Sequence, residues 1–163
     1  MTALRVAILT ISDKGSRGER EDLSGEAIRQ AIGSIAARVV DYRIVPDEQE
    51  QIAEALRQWA DGEAADIIIS TGGTGISPRD VTPEATRSVL DRELPGIAEA
   101  MRAESLKKTP RAMLSRAMAG TRRRSIILNL PGSPKAVREC LEVVLPTLPH
   151  AVEMLQGRPS DHA

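Results

Sequence analysis

The sequence predicts an α/β fold, a three-layer sandwich in which helices flank a mostly parallel central sheet. Leu4–Ile11, residues 39–45 and residues 67–69 are short apolar runs rich in β-branched residues, which is typical of buried parallel strands. Segments with apolar residues at helical spacing separate these runs. A further apolar run, Ser125–Leu130, is also followed by a helical pattern. Such alternation of strands and helices indicates the α/β class.

Length and composition indicate a single domain, which we expect over residues 1–157, with a polar tail at 158–163. The 163 residues include one Trp, one Tyr and no Phe, so the core must be aliphatic. With so few aromatic side chains and a net charge of −1, binding of nucleic acid is not expected. There is one cysteine, no apolar run of membrane-spanning length and no signal-peptide pattern, so we expect a cytoplasmic protein that does not bind membranes.

Helix starts are marked by residues that prefer the N-cap position. Ser24 is expected to cap the first long helix, and Asp47, directly after Pro46, the second. Thr82 is expected to cap the third, with Pro83 in the first helical position. Another such pair follows the last strand, where Ser133 is the expected cap and Pro134 the first helical residue. Pro146 and Pro149 are expected to interrupt the final helical segment.

The stretch from residue 67 to residue 85 organises the chain. An apolar run leads into Thr71-Gly72-Gly73-Thr74-Gly75, and Arg79 and Asp80 follow before a helix begins. Three glycines in five residues allow the backbone to approach a ligand and to turn its amides toward an anion. The loop lacks the ending of a P-loop and the spacing of the dinucleotide fingerprint. A phosphate-binding loop and a simple tight turn both remain compatible with it.

Four loops follow the predicted strands, at residues 12–13, 46–47, 71–80 and 131–134. In parallel sheets, ligands bind outside the carboxyl ends of the strands, near a switch in strand order. Two glycine loops and several carboxylates are therefore expected to meet at one edge of the sheet. This convergence predicts a binding site for a phosphorylated ligand.

Seven short segments together resemble the molybdopterin adenylyltransferase family, the MogA-like proteins and the related G domains of plant and animal molybdenum-cofactor proteins. They occur in the family's order: Ile11-Ser12-Asp13, Val45-Pro46-Asp47-Glu48, Thr71-Gly72-Gly73-Thr74-Gly75, Arg79-Asp80-Val81-Thr82-Pro83-Glu84-Ala85, Glu104-Ser105-Leu106-Lys107, Leu114-Ser115-Arg116 and Leu130-Pro131-Gly132-Ser133-Pro134-Lys135-Ala136. Each segment alone is weakly specific, whereas the set is highly specific and spans nearly the whole chain. The chain is short at its C-terminus compared with several bacterial relatives. A paralogous branch of the family differs around Arg79-Asp80, and the intact pair favours the adenylyltransferase branch.

The resemblance implies transfer of AMP from ATP to the terminal phosphate of molybdopterin, with release of pyrophosphate. It also implies Mg²⁺ as cofactor, a homotrimer and hand-over of the product to a molybdate insertase. The family's essential acids fall on Asp47 and Asp80, which we expect to be catalytic residues and Mg²⁺ ligands. The expected residues that bind pterin, phosphate or ATP are Ser12, Asp13, Thr71, Gly72, Gly73, Thr74, Gly75, Arg79, Thr82, Ser105, Ser115, Asn129, Pro131, Gly132, Ser133 and Lys135.

Structural interpretations of the same residues remain open. Asp47 is also a good helix cap, Asp80 a good loop stabiliser and Asp13 a good turn residue, while Ser105 and Ser115 suit local capping.

Other residues of the chain are expected to have structural roles. Cys140 and Trp59 are expected in the core, and residues 122–124 in a solvated turn. His150 and His162 lack partners at metal-binding spacing, so no structural zinc is expected. The alternative function is a non-catalytic molybdopterin carrier or trimeric scaffold.

Overall fold

The computed structural model describes residues 2–158, which contain one six-stranded sheet. The strands are β1 (Leu4–Ile11), β2 (Ala37–Val45), β3 (Ile67–Thr71), β4 (Arg92–Glu93), β5 (Ala119–Arg122) and β6 (Ser125–Leu130). Their order across the sheet is β2-β1-β3-β6-β5-β4. The first four in this order are parallel, whereas β5 runs antiparallel to β6 and β4 antiparallel to β5.

Helices cover both faces of the sheet. They are α1 (Asp13–Ser16), α2 (Leu23–Ala31), α3 (Gln49–Asp61), α4 (Thr82–Val89), α5 (Pro95–Leu106), α6 (Pro134–Val144) and α7 (Leu148–Leu155), with 3₁₀ turns at Ile32–Ser34 and Pro110–Leu114. One buried cluster joins the sheet to α2, α5, α6 and α7, and a second joins it to α3 and α4. The predicted three-layer fold with a mostly parallel sheet is therefore confirmed.

The central strands β1, β3 and β6 carry mostly apolar residues on both faces, since helices bury both faces of the sheet. Val6 and Ile8 of β1 pack into the first cluster, whereas Ala7 and Leu9 pack into the second. The core is aliphatic apart from Trp59, which is 2% exposed as expected for a core residue. No helix within residues 2–158 is long and apolar enough to span a membrane.

Strand order places a crevice at one edge of this sheet. β1 lies between β2 and β3, so the chain leaves β1 toward one side and later returns to its other side. The carboxyl ends of β1, β2, β3 and β6 therefore open onto the same edge, where this kind of sheet binds ligands. The loops that follow these four strands build the candidate site.

Three of the predicted helix caps are wrong, because side chains at these positions form longer-range contacts. Asp22 caps α2 in place of Ser24, whose hydroxyl donates to the carbonyl of Gly132 at 2.5 Å. Glu48 takes the N-cap position of α3 without a side-chain hydrogen bond, so Asp47 is not the cap. Val81 precedes α4, and the buried Thr82 does not cap that helix.

The C-terminal half follows the sequence pattern more closely. The Ser133 hydroxyl accepts the amide of Ala136, which confirms Ser133 as the cap of α6. Pro146 lies in the break between α6 and α7, whereas Pro149 sits in the first turn of α7 and does not interrupt it. Of the predicted solvated turn at residues 122–124, Arg122 belongs to β5, whereas Arg123 and Arg124 form an exposed turn as expected. Apart from Arg158, the predicted polar tail, with His162, lies outside the described residues.

Candidate active site

Two clefts open at the carboxyl edge of the sheet. The β1-side cleft, of about 660 Å³, is lined by residues that follow β1, β2, β3 and β6, including Ser12, Arg20, Asp22 and Asp47. The α5-side cleft, of about 460 Å³, is lined by residues of α5, α6 and the 3₁₀ turn, including Met101, Arg102, Ser105, Ser115 and Cys140. Gly73, Asp80 and Gly132 line both clefts, so the two spaces meet at these residues.

The glycine loop after β3 has a backbone conformation that requires glycine. Gly72 and Gly73 have φ angles of +99° and +67°, in the left-handed region. A Cβ atom would collide with the carbonyl oxygen of Ile11 at Gly72 and with the hydroxyl of Thr82 at Gly73. Thr82 secures the loop, since its hydroxyl donates to the Gly72 carbonyl at 2.9 Å. The role of Thr82 seen here is thus to hold the loop from beneath.

Four consecutive backbone amides in this loop have no acceptor within residues 2–158. Among the described residues, the N–H groups of Gly73, Thr74, Gly75 and Ile76 donate to no protein acceptor, whereas the Gly72 amide donates to the Leu130 carbonyl at 3.1 Å. Successive free amides in a glycine-rich turn form a concave anion-binding surface. The loop therefore has the geometry of a phosphate cradle, and its ligand-facing part begins at Gly73.

Asp13 and Asp47 hold each other in place across the ends of β1 and β2. The Asp13 amide donates to Asp47 Oδ2 at 3.0 Å, and the Asp47 amide donates to Asp13 Oδ1 at 3.0 Å. The other carboxylate oxygen of Asp47 faces the glycine loop, because a Cβ at Gly73 would lie 3.2 Å from Asp47 Oδ1. One oxygen of Asp47 is thus fixed by the fold while the other is directed at the cradle.

Arg79 closes this arrangement from the outside. Its guanidinium donates to both carboxylate oxygens of Asp13, at 2.9 and 3.1 Å, and to Glu48 Oε1 at 3.0 Å. The hydrogen bonds from Arg79 lower the pKa of Asp13. Arg79 is more than half exposed, so phosphate oxygens can compete with these carboxylates for it.

The pKa of Asp47 is shifted in the opposite direction to that of Asp13. Burial raises the Asp47 pKa, and the negative charges of Asp13 and Asp80 add to that effect, whereas the Asp13 amide opposes it. A carboxylate whose negative charge is not fully balanced by neighbouring protein groups is well suited to bind a cation.

Asp80 stands at the junction of the two clefts. Its Oδ2 accepts the Ser77 amide at 3.0 Å, and a Cβ at Gly75 would lie 2.9 Å from this oxygen. Asp80 and Asp47 therefore border the glycine loop from two sides.

Asp47 and Asp80 are the two carboxylates beside the glycine loop that could hold a divalent cation. Within residues 2–158, no group of three or more His, Cys, Asp or Glu side chains is arranged to hold a metal. Mg²⁺ commonly takes only one or two protein carboxylates and fills its other positions with water and substrate phosphates. Asp47 and Asp80 supply such a set of oxygen donors beside a phosphate cradle.

The other predicted site residues fall into two groups. Ser12 and Ser133 line the β1-side cleft, and Ser105 and Ser115 line the α5-side cleft. Thr71 also lines the β1-side cleft, whereas Asn129 lines neither cleft and lies beneath the site.

The contacts of these two residues are structural. The Thr71 hydroxyl donates to the Pro131 carbonyl at 2.6 Å, and Asn129, fully buried, bonds to Ser70, Thr86 and the Met118 amide. Lys135 is exposed and lines neither cleft.

Residues outside the predicted list of site residues also contribute. Arg116 binds three carbonyls of the glycine loop, and Asp22 and Arg20 line the β1-side cleft. Asp22 accepts the hydroxyl of Thr10 at 2.6 Å and that of Tyr42, whose pKa burial and this contact raise to about 12. The contacts of Arg116 with the loop, and of Asp22 with Thr10 and Tyr42, join residues that are distant in sequence, although Asp22 is also the local cap of α2.

A doubly wound sheet with two glycine loops, free amides and paired carboxylates at its strand ends defines a class of α/β proteins that bind phosphorylated ligands. Comparison with known proteins identifies the family. A family model described as "Probable molybdopterin binding domain" matches residues 7–150. A molybdopterin adenylyltransferase of Helicobacter pylori (strain J99) is 44% identical over 159 residues, which cover 96% of this chain and 90% of that protein.

Solved structures show the same similarity. The molybdopterin biosynthesis enzyme MoaB of Thermus thermophilus superposes with a TM-score of 0.90 at 57% identity, covering 96% of this chain and 98% of that one. The molybdopterin biosynthesis Mog protein of Mycobacterium ulcerans has a TM-score of 0.89 at 35% identity, covering 97% and 100%. The chain belongs to this family of molybdopterin-binding proteins, whose curated members include adenylyltransferases of molybdenum cofactor biosynthesis. The family predicted from the seven segments is thus confirmed.

Proposed function

We propose that this chain is an adenylyltransferase that transfers AMP from ATP to the terminal phosphate of molybdopterin. The observation that carries the proposal is the meeting of two clefts at Gly73, Asp80 and Gly132, which gives two phosphorylated substrates adjoining spaces with one shared wall. The similarity to named molybdopterin adenylyltransferases over nearly the whole chain supports it independently.

The reaction makes modest demands on proton transfer and strong demands on positioning. A terminal phosphate oxygen of molybdopterin attacks the α-phosphorus of ATP, a new P–O bond forms, and the bond to the bridging oxygen breaks to release pyrophosphate. The attacking phosphate is already ionised near neutral pH, so no strong general base is needed. What the site must supply is in-line placement of two anions and relief of their repulsion.

The residues of the chain divide this work. Amides of Gly73–Ile76 hold phosphate oxygens of the reacting groups, and the start of α6 at Ser133 offers a second such surface. Asp47 and Asp80 would hold Mg²⁺, which would offset phosphate charge and favour departure of pyrophosphate. Arg79 is placed to exchange its carboxylate partners for a phosphate as a substrate enters.

Three further parts of the proposal concern the cellular context. We infer a homotrimer, a cytoplasmic location and hand-over of adenylylated molybdopterin to a molybdate insertase, as in the family that the chain resembles.

A carrier or scaffold function is the second candidate. In its favour, Asp47 and Asp80 each accept a backbone amide, from Asp13 and Ser77 respectively, which is what purely structural aspartates do. A carrier would bind molybdopterin without consuming ATP.

The test is an incubation of the purified chain with molybdopterin, ATP and Mg²⁺, followed by quantification of pyrophosphate and of the AMP–pterin adduct. Equal amounts of the two products, both dependent on all three components, are expected. Tight pterin binding with neither product would overturn the enzyme proposal and favour the carrier.

A further inference from the structure

Arg116, which follows the 3₁₀ turn Pro110–Leu114, binds the loop between β3 and α4 through both its backbone amide and its side chain. Its amide donates to the Thr74 carbonyl at 2.8 Å, its Nε to the Gly75 carbonyl at 2.7 Å and its Nη2 to the Asp80 carbonyl at 2.8 Å. Nη1 pairs with Glu84 of α4. One residue thus holds three carbonyls of the loop between β3 and α4.

This contact determines which way the loop presents its amides. In a planar trans peptide, the N–H of the following residue points opposite to the carbonyl. Because Arg116 holds the carbonyls of Thr74 and Gly75, the amides of Gly75 and Ile76 face away from it, and both are free of protein acceptors among the described residues. Arg116 therefore keeps the partial negative charges of the loop on one side and its free donors on the other.

The Arg116 backbone is itself anchored to the sheet-covering layer. Arg102 of α5 donates to the carbonyls on either side of it, to Ser115 at 3.3 Å and to Ala117 at 2.8 Å. The position of α5 is thereby transmitted through Arg102 and Arg116 to the loop that carries Asp80.

We infer that Arg116 is a positioning residue for adenylyl transfer, which aligns the Gly75 and Ile76 amides and Asp80 and does not itself contact the reacting phosphates. The inference rests on the proposed function. Three of the five N–H donors of the Arg116 guanidinium bind the Gly75 carbonyl, the Asp80 carbonyl and Glu84, and Arg116 lines neither cleft. Lysine keeps the charge but lacks the planar array of donors that reaches several acceptors at once.

The chain offers a matched control in Arg122. Its guanidinium also makes three hydrogen bonds, two to Asp61 at 2.9 Å and one to the Val89 carbonyl at 2.8 Å, and it lines neither cleft. Arg122→Lys should perturb stability without reaching the glycine loop. Arg116→Lys retains the charge at the site, so its effect on turnover reports geometry.

The experiment compares kcat and KM for adduct formation by the wild type, Arg116→Lys and Arg122→Lys, each corrected for folded fraction by circular dichroism. One aligned donor at a reacting centre is worth on the order of 10²-fold in kcat. Arg116→Lys is therefore expected to lose at least about tenfold in kcat with KM for molybdopterin changed less than kcat, while Arg122→Lys stays near wild type. A kcat for Arg116→Lys within twofold of wild type would overturn the inference.

A second readout does not depend on turnover. The backbone order parameters of Ile76 and Val81, whose amides follow the two carbonyls that the Arg116 side chain holds, should fall in Arg116→Lys and remain unchanged in Arg122→Lys when measured by ¹⁵N relaxation. Loss of kcat with unchanged loop order would mean that Arg116 acts on the substrate directly, and positioning would be rejected. Absence of adduct in the wild type would instead count against the proposed function, and the relaxation data would still decide whether Arg116 orders the loop.

Discussion

Asp13 and Asp47 exchange backbone-to-carboxylate hydrogen bonds, each amide donating at 3.0 Å to the side chain of the other. This reciprocal pair ties the loop after β1 to the loop after β2, which are 34 residues apart in sequence. It fixes one oxygen of Asp47 and leaves the other facing the glycine loop. The candidate site therefore depends on Asp13 for the orientation of Asp47.

Removal of the Asp13 side chain should impair turnover through Asp47. Asp13→Ala deletes the acceptor for the Asp47 amide and removes two of the three hydrogen bonds of Arg79, so kcat for adduct formation is expected to fall by about tenfold or more. Asp13→Asn keeps one acceptor oxygen and should recover part of the loss. Equal activity of Asp13→Ala and the wild type in the adduct assay would rule out this dependence.

Replacement of Asp47 should separate stability from activity. Burial raises the pKa of Asp47 in the folded protein above the ordinary value of 3.8. Between the unfolded-state pKa and the folded-state pKa, the folded protein binds more protons than the unfolded chain, so stability falls as pH rises through that window. At pH 7 the ionised Asp47 therefore destabilises the metal-free protein. Asp47→Asn, which still offers an oxygen to the Asp13 amide, is expected to raise the thermal unfolding midpoint while abolishing turnover.

Asp61→Asn is the control for the sign of this effect. The hydrogen bond with Arg122 lowers the pKa of Asp61. The ionised side chain therefore stabilises the folded protein at every pH above the pKa that Asp61 has in the unfolded chain. Asp61→Asn should lower the midpoint at pH 7. If Asp47→Asn lowered it too, the proposed charge strain at Asp47 would be refuted.

Gly73 should not tolerate a side chain. With φ at +67° and the Thr82 hydroxyl in the way of a Cβ, Gly73→Ala must distort the loop, and we expect lower stability and at least a tenfold loss of kcat. Gly96→Ala is the matched control, because Gly96 lies in α5 with no atom within 4 Å of a Cβ. Denaturant unfolding and the adduct assay, applied to both variants, provide the comparison; wild-type kcat in Gly73→Ala would contradict the loop geometry.

Asn129 is expected to matter for folding. Its side-chain amide donates to Ser70 and Thr86 at 3.0 Å each and accepts the Met118 amide at 3.2 Å, all out of contact with solvent. Asn129→Leu leaves these groups unpaired, at about 1–3 kcal/mol for each buried group that finds no new partner. Urea unfolding should show a loss of at least about 2 kcal/mol; a loss below roughly 0.5 kcal/mol would mean that the network contributes little.

The sequence was sufficient for the features that depend on local patterns. The boundaries of β1 and β6 follow from their apolar runs, and the Ser133–Pro134 helix start follows from capping preference. Convergence of the strand-end loops followed from the α/β class. These are properties of neighbouring residues or of the fold as a whole.

The features that the sequence did not reveal are contacts between distant residues. Aspartate is a preferred N-cap residue, yet the Asp47 carboxylate accepts the Asp13 amide across the sheet edge. Glu48 takes the N-cap position of α3 instead. Thr82 likewise turns back to Gly72. Arg116 reaches a loop about 40 residues earlier in the chain. Cap preference describes only the local choice, and tertiary hydrogen bonds of similar strength redirect such side chains.

The most direct test of the account concerns Asp80, where the two clefts meet. Asp80→Asn and the wild type would be compared for molybdopterin binding by titration calorimetry and for adduct formation with ATP and Mg²⁺ in a single turnover. Retained pterin binding with adduct formation reduced by at least about a hundredfold is the expected result, since Asp80 is assigned to the transfer step. Adduct formation at the wild-type rate would contradict the central claim that this junction is where adenylyl transfer occurs.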